Sequence, residues 1–293
     1  MQLKSILCPI DFSDFSAAAL QHALSLAEYY KSRIVALHVV ELWKYPFADY
    51  AAHEADYAKF CRAMNEGGEV KLQRFVKEHS AGGPQPELVV HQGNSPDCIL
   101  SFAQRENMEA IVMGAHGRRG VDRLVLGSTT DRVIRKAACP VLVVSSAAHT
   151  ALATGPDGRH RLSRIIYCTD FSNNSEHARG YALSVAAEYG AELVLLHVAV
   201  KARDLERAEE ISAERTQELG KLVSETEQKD LKVRSIVRFG KPYEEIVRYA
   251  TESHASLIIM TARGGDAVDR AVFGSTTYRV IQLGPCPVLA IHT

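Results

Sequence analysis

A glycine-rich segment in the first half of the chain has the residue types and spacing of a phosphate-binding loop. It reads MGAHGRRG from Met113 to Gly120 and reaches GST at 127–129, so its pattern is G-x2-G-x9-G-S. Glycines, which lack a Cβ atom, let the backbone approach a phosphate closely. A helix that starts near Thr129 would direct its free N–H groups and its positive dipole end at the anion. The segment therefore predicts a site for a phosphate-bearing ligand.

The spacing of the loop leaves a structural alternative open. No lysine follows the last glycine, so the segment is not a Walker A loop. The glycines could instead only form a turn, with Ser128 or Thr129 capping a helix. Arg118 and Arg119 could neutralise phosphate charge or simply be solvated, and the same two roles are open to His116.

Three further polar residues lie in or at the end of apolar segments. Asp11 follows the first predicted strand, where a carboxylate could accept hydrogen bonds from ribose hydroxyls or cap the next helix. His38 and His197 lie within apolar strands, where a hydrogen-bonded core histidine is favoured over a ligand or a base. Asp11 is therefore the better candidate for the site.

The chain contains an internal repeat. ILCPIDFS at 6–13 aligns with IIYCTDFS at 165–172, an offset of 159 residues. From residue 93 onward the offset is 147, as in GSTT at 127–130 and 274–277. Such self-similarity predicts two copies of one structural unit, the second 12 residues shorter in its middle.

Each copy is predicted to be an α/β unit in which strands and helices alternate. Segments such as 34–40 are almost entirely apolar, which is typical of a parallel strand covered on both faces. In the first copy we predict strands at 5–10, 34–40, 88–91, 110–113 and 140–144, and helices at 14–30, 51–79, 96–106 and 129–137. The second copy repeats this order from 164 and has a strongly charged helix within 204–230. Each copy is thus a five-stranded, doubly wound parallel sheet.

Composition sets the domain organisation and excludes some partners. The predicted domains are 1–146 and 163–293, joined by a linker at 147–162 that lacks apolar periodicity. The 34 basic residues balance 35 acidic ones, so neither nucleic acid nor an anionic membrane is an expected partner. A membrane span would need roughly 18 consecutive apolar residues. The chain has neither such a run nor a signal peptide, and a soluble cytoplasmic protein is expected.

The six cysteines are scattered, and no two form a C-x-x-C pair. We interpret them as reduced core thiols, because free cysteine is usually buried. A zinc site that uses Cys61 and His53 is the alternative, but it lacks ligand spacing. No metal site is predicted within the protein.

The chain resembles the universal stress protein family, specifically its tandem two-domain members. The resemblance covers nearly all of both copies and is carried by the P-x-D strand end at 9–11, the glycine loop, and CPVL at 139–142 and 286–289. It implies a Rossmann-like fold of the adenine nucleotide alpha hydrolase type. In the ATP-binding branch of the family, the loop holds the ribose and phosphates and the first-strand aspartate lies by the adenosine. There an apolar residue after the second-strand histidine flanks the base. The loop and the resemblance together predict an ATP site formed by Pro9, Asp11, Val39, Met113, Gly114, His116, Gly117, Arg118, Arg119, Gly127, Ser128 and Thr129.

The second copy departs from the pattern at three positions. Thr261 replaces the first glycine and adds a β-branched side chain where the backbone would approach the ligand. Asp266 stands where the first copy has Arg119, and Cys168 replaces Pro9. A second, weaker site is therefore predicted at Asp170, Val198, Thr261, Arg263, Gly264, Gly274, Ser275 and Thr276.

The function predicted from these features is that of a non-enzymatic ATP-binding stress or signalling protein, whose conformation or association depends on nucleotide occupancy. The loop carries no lysine, metal-binding carboxylate pair or general base for fast phosphoryl transfer. Mg²⁺ is expected to accompany ATP. The alternatives are a slow ATPase or adenylate-transferring enzyme using the same pocket, and an interaction scaffold without nucleotide. Single-domain family members pair through their last strands, so the resemblance also implies an internal pseudo-dimer through 141–144 and 288–291, and it leaves a homodimer open.

Overall fold

The computed structural model describes residues 3–44, 54–80, 83–117, 126–145, 162–199, 205–224, 227, 231–262 and 274–292. Its strands are β1 (Ser5–Pro9), β2 (Arg33–Val40), β3 (Glu87–Gln92), β4 (Ala110–Gly114), β5 (Val141–Val144), β6 (Arg164–Cys168), β7 (Glu192–Ala199), β8 (Val233–Phe239), β9 (Leu257–Thr261) and β10 (Val288–Ile291). Its α-helices in the described residues are α1 (Asp14–Tyr30), α2 (Glu54–His79), α3 (Ser95–Arg105), α4 (Ser128–Lys136), α5 (Asn173–Tyr189), α6 (Leu205–Lys221), α7 (Pro242–Glu252) and α8 (Ser275–Leu283). Except for Leu162, the predicted linker lies outside the described residues, so the domain boundaries stay a prediction.

The two predicted five-stranded sheets are present and are joined into one sheet of ten strands. The strand order is β3-β2-β1-β4-β5-β10-β9-β6-β7-β8. Within each half the strands are parallel, whereas β5 and β10 pair antiparallel, with Leu142 opposite Leu289. The last strands of the two copies therefore join the halves, as the pseudo-dimer prediction required.

Helices cover both faces of this sheet, so the apolar strands are buried on two sides as predicted. One core packs α1, α2, α5 and α6 on one face, and the other packs α3, α4, α7 and α8 on the opposite face. Each core contains residues from both halves. Among the described residues, no helix has the combined length and apolarity needed to cross a bilayer.

The halves also meet through side chains at the C-terminal ends of α1 and α5. The ring of Tyr29 stacks on that of Tyr189 with centroids 4.7 Å apart. The hydroxyl of Tyr30 donates to a Glu188 carboxylate oxygen at 2.9 Å. Burial is the first cause that raises the pKa of both Tyr30 and Tyr189 above the usual tyrosine value. The contact is therefore one between neutral, partly buried tyrosines.

Helices α1 and α5 begin alike but end on different residues. Ser13 and Ser172 cap them by accepting backbone N–H bonds. After the last turn the chain takes up the left-handed conformation, at Lys31 with φ 57° and at Gly190 with φ 60°. Glycine adopts this conformation without the strain that a Cβ atom brings.

We expect Lys31→Gly to raise the free energy of unfolding by about 0.5–1 kcal/mol, because it relieves that strain. The matched substitution Gly190→Lys should lower it by a similar amount. Urea unfolding followed by circular dichroism measures both changes. A lower unfolding midpoint for Lys31→Gly would contradict the explanation.

Candidate functional site

The carboxyl ends of β1 and β4 are adjacent, at the point where the strand order of the first half reverses. From β1, the chain continues outward to β2 and β3 on one side and to β4 and β5 on the other. Open α/β sheets bind ligands in the crevice outside such a point. Asp11 follows β1, and the glycine loop begins at the end of β4. The topology thus brings together the two sequence features that were predicted to form one site.

The carboxylate of Asp11 is held in a fixed orientation toward the loop. Its Oδ1 atom accepts from the backbone N–H of Ser13 at 3.0 Å and from the Ser13 hydroxyl at 2.6 Å. A Cβ atom built on Gly117 would lie only 2.7 Å from the Oδ2 atom. Phe12, which lies between Asp11 and Ser13 in the chain, has a φ of 67°, a rare conformation for an aromatic residue. Asp11 therefore holds Ser13 and faces the loop. Ser13, and not Asp11, is the N-cap of α1, so the capping alternative for Asp11 is wrong, and its role toward a ribose stays a prediction.

Gly127, the third glycine of the G-x2-G-x9-G pattern, closes the end of the loop. The Gly127 N–H donates to the Ala115 carbonyl at 2.8 Å. A Cβ atom there would lie 3.2 Å from the same carbonyl oxygen. Gly127 is also the N-cap of α4, and among the described residues no side chain caps the N-terminus of this helix. Ser128, which is exposed, and the half-buried Thr129 form the start of α4 beside the loop.

The first glycine has a packing role in the structure, and the close approach of a ligand at this position stays a prediction. A Cβ atom on Gly114 would lie 2.7 Å from the Phe15 Cβ atom and 2.9 Å from the Phe15 carbonyl carbon and oxygen. Gly114 thus allows α1 to pack directly on the end of β4. Its carbonyl accepts from the hydroxyl of the buried Thr130 at 2.8 Å, which ties α4 to the same point.

His116 and His38 of the first half are buried, and His197 of the second half is half-buried. His116 is 5% exposed, and its ring lies 5.0 Å from that of Phe15, so it is not a solvated loop residue. The Nδ1 atoms of His38 and His197 lie 2.8 and 2.9 Å from the carbonyls of Ile10 and Thr169, to which they can donate. Burial lowers the pKa of His197, which favours the neutral ring. The prediction of core histidines at 38 and 197 is confirmed.

The remaining predicted residues of the first site fall into two groups. Pro9 ends β1, Val39 is half-buried near the end of β2, and Met113 is buried in β4. All three therefore belong to strands whose carboxyl ends face the crevice. Arg118 and Arg119 lie outside the described residues.

The second half repeats the frame of the site. Asp170 accepts from the Ser172 N–H at 3.0 Å, and the Gly274 N–H donates to the Ala262 carbonyl at 3.1 Å. The hydroxyl of Thr277 donates to the Thr261 carbonyl at 2.8 Å, as Thr130 does in the first half. Other predicted residues lie at the end of β7 (Val198) and at the start of α8 (Ser275, Thr276), while Arg263 and Gly264 lie outside the described residues.

All six cysteines are free thiols, as predicted. The prediction that they lie in the core holds for Cys8, Cys168 and Cys286 but is wrong for three that are half-buried, Cys61, Cys98 and Cys139. Burial raises the pKa of Cys286 to about 12 and that of Cys139 to about 11. The thiols of Cys139 and Cys286 are therefore protonated and unreactive at neutral pH. Within the described ranges, no three His, Cys, Asp or Glu side chains form a group that could hold a metal ion, and His53 of the alternative zinc site lies outside them.

Sequence reasoning did not connect Ser13 with Asp11, which it fixes, and gave no role to Phe15, which fills the space beside Gly114. The repeat held a signal for the role of Ser13. The triplet DFS recurs at 11–13 and 170–172, and in both copies the serine bonds the aspartate and caps the next helix. No equivalent signal marked Phe15, whose counterpart in the repeat is Asn174.

Comparison with known proteins identifies relatives of both halves. The model of the universal stress protein family matches residues 2–145 and 162–292. A universal stress protein of Methanocaldococcus jannaschii is 33% identical over 48% of the chain and 81% of its own length. Another, from Mycolicibacterium smegmatis, is 24% identical over 98% of the chain and 96% of its own length. The crystal structure of a universal stress protein from Archaeoglobus fulgidus shares the fold, with a TM-score of 0.73, 23% identity, and coverage of 100% of this chain and 99% of that one.

Proposed function

The chain belongs to the universal stress protein family, and we propose that it binds ATP at the first half of the sheet. In this proposal, nucleotide occupancy modulates the conformation of the protein or its association. Fold alone does not define a function, so the support must come from the site itself.

The observation that carries the proposal is the cradle formed by Asp11, Gly117 and the start of α4. The Asp11 carboxylate lies so close to Gly117 that a Cβ atom on this glycine would be only 2.7 Å from its Oδ2 atom. The missing side chain at Gly117 lets the loop backbone lie directly against this carboxylate, so Asp11 and the loop border the same crevice. The carboxylate suits ribose hydroxyls. The start of α4, which no side chain of the described residues caps, suits phosphate. The residues present therefore fit a nucleotide.

Each group has a defined task in this proposal. Asp11 accepts hydrogen bonds from the ribose, and Ser13 holds its carboxylate in place. The N–H groups and hydroxyls of Ser128 and Thr129 donate to the phosphates, and Val39 contacts the base. Mg²⁺ would enter with the phosphates and neutralise part of their charge. We also place the protein in the cytoplasm, because its six free thiols suit a reducing compartment.

We expect one tight ATP site per chain and a second site that is weaker or silent. Isothermal titration of the purified full chain with Mg²⁺-ATP measures the number of sites and their dissociation constants. Mass spectrometry of small molecules released from the protein identifies a co-purifying ligand. The absence of ATP binding at millimolar concentration would refute the proposal, and two equal tight sites would refute the predicted asymmetry.

A further inference from the structure

Tyr278 of the second half reaches the end of the glycine loop in the first half. Its hydroxyl oxygen accepts a hydrogen bond from the backbone N–H of Leu126 at 3.2 Å. Tyr278 lies in the first half of helix α8, and Leu126 stands two residues before α4. The bond therefore joins the second copy to the segment that leads into the proposed phosphate site.

The segment around Leu126 is fixed from several directions. The Leu126 side chain is 4% exposed and packs in the core beneath α3, α4, α7 and α8. The next N–H, that of Gly127, donates to the Ala115 carbonyl at 2.8 Å within the loop. Two consecutive N–H groups are thus bonded. That of Leu126 donates to the second half, and that of Gly127 donates to Ala115 at the start of the glycine loop. Together they position the start of α4 at Ser128.

We infer that Tyr278 is a positioning residue through which the second half sets the nucleotide affinity of the first site. The inference rests on the proposed function, because it concerns the affinity of that same site. Donors that are already oriented bind an anion more tightly than donors that must first be ordered. Without the hydroxyl, the Leu126 N–H loses its acceptor and the segment shifts to find another.

The repeat shows that the tyrosine is specific to the second copy. The residue equivalent to Tyr278 in the first half is Asp131. Its Oδ2 atom accepts from the Arg135 guanidinium at 2.8 Å within α4. Through Tyr278, the second half can position the first site even if the second half itself binds no nucleotide. By linkage, ATP bound at the first site would in turn stabilise this contact between the halves.

The test is the substitution Tyr278→Phe in the full chain, with Mg²⁺-ATP as the probe. The dissociation constant should rise by about three- to tenfold, which corresponds to the loss of one positioning hydrogen bond. Hydrogen exchange of the Leu126 amide, resolved by mass spectrometry, should become faster without ATP present. The control is Tyr243→Phe, which removes the hydroxyl that donates to Glu244 at 2.9 Å in α7 of the same half. This control should leave both measurements unchanged.

The outcomes separate this inference from the proposed function. If the wild type binds ATP and Tyr278→Phe binds it equally well, the inference is overturned and the proposed function stands. If the wild type binds no ATP, the proposed function fails and the effect on affinity fails with it. The exchange of the Leu126 amide then decides the positioning role alone, since an unchanged rate overturns it and a faster rate supports it.

Discussion

Gly117→Asp is expected to raise the dissociation constant for ATP at the first site by about a hundredfold or more, while the chain still folds. The new Cβ atom would lie 2.7 Å from the Asp11 Oδ2 atom. Asp11 cannot easily turn away, because its other carboxylate oxygen is held by two hydrogen bonds from Ser13. A second carboxylate there would also repel the phosphates by a few kcal/mol at close range, and about 1.4 kcal/mol corresponds to a tenfold change in affinity. Isothermal titration with Mg²⁺-ATP measures the effect.

Two further substitutions separate the causes. Gly117→Ala introduces the clash without the charge and should weaken binding less than Gly117→Asp. Gly264→Asp places the same side chain at the equivalent position of the second copy and should leave the first site unchanged. Melting temperatures within a few degrees of the wild type would establish that each variant is folded. Full ATP affinity in a folded Gly117→Asp chain would show that the nucleotide does not bind in this cradle.

The fold could be predicted largely from the sequence because its information is local and repeated. Apolar segments such as 34–40 indicated strands buried on both faces, and the structure has β2 at Arg33–Val40. The constant offsets of the repeat then predicted the same elements in both copies. The final pairing of β5 with β10 followed only from the resemblance, since nothing in either short apolar strand specifies an antiparallel partner.

The roles of the individual glycines could not be predicted, because they depend on atoms distant in sequence. The spacing G-x2-G-x9-G suggested one purpose for all three glycines, but the structure gives each a different neighbour. Gly114 meets Phe15, Gly117 meets Asp11, and Gly127 meets the Ala115 carbonyl. The burial of His116 depends in the same way on how α1 packs across the end of β4. A sequence pattern indicates where side chains are absent, and only the packing shows why.

Gly114→Thr is expected to lower the free energy of unfolding by about 3 kcal/mol, because it overpacks the contact between α1 and β4. The carbonyl carbon and oxygen of Phe15 would lie 2.9 Å from the new Cβ atom, and backbone atoms cannot rotate away. The second half carries Thr261 at this position, and that threonine is 7% exposed, so the second copy accommodates the side chain in its own packing. Urea unfolding of the full chain measures the change.

The same substitution decides between the two explanations for the first glycine. If Gly114 serves mainly to let the backbone approach a phosphate, Gly114→Thr will weaken ATP binding and leave stability unchanged. If it serves packing, stability will fall even without ATP, and Phe15→Ala will not restore it, because that change keeps the backbone and the Cβ atom that clash. The structure favours the second result. In that case, Thr261 is not by itself a reason for the weak binding predicted at the second half. The remaining differences are Asp266 in place of Arg119 and Cys168 in place of Pro9.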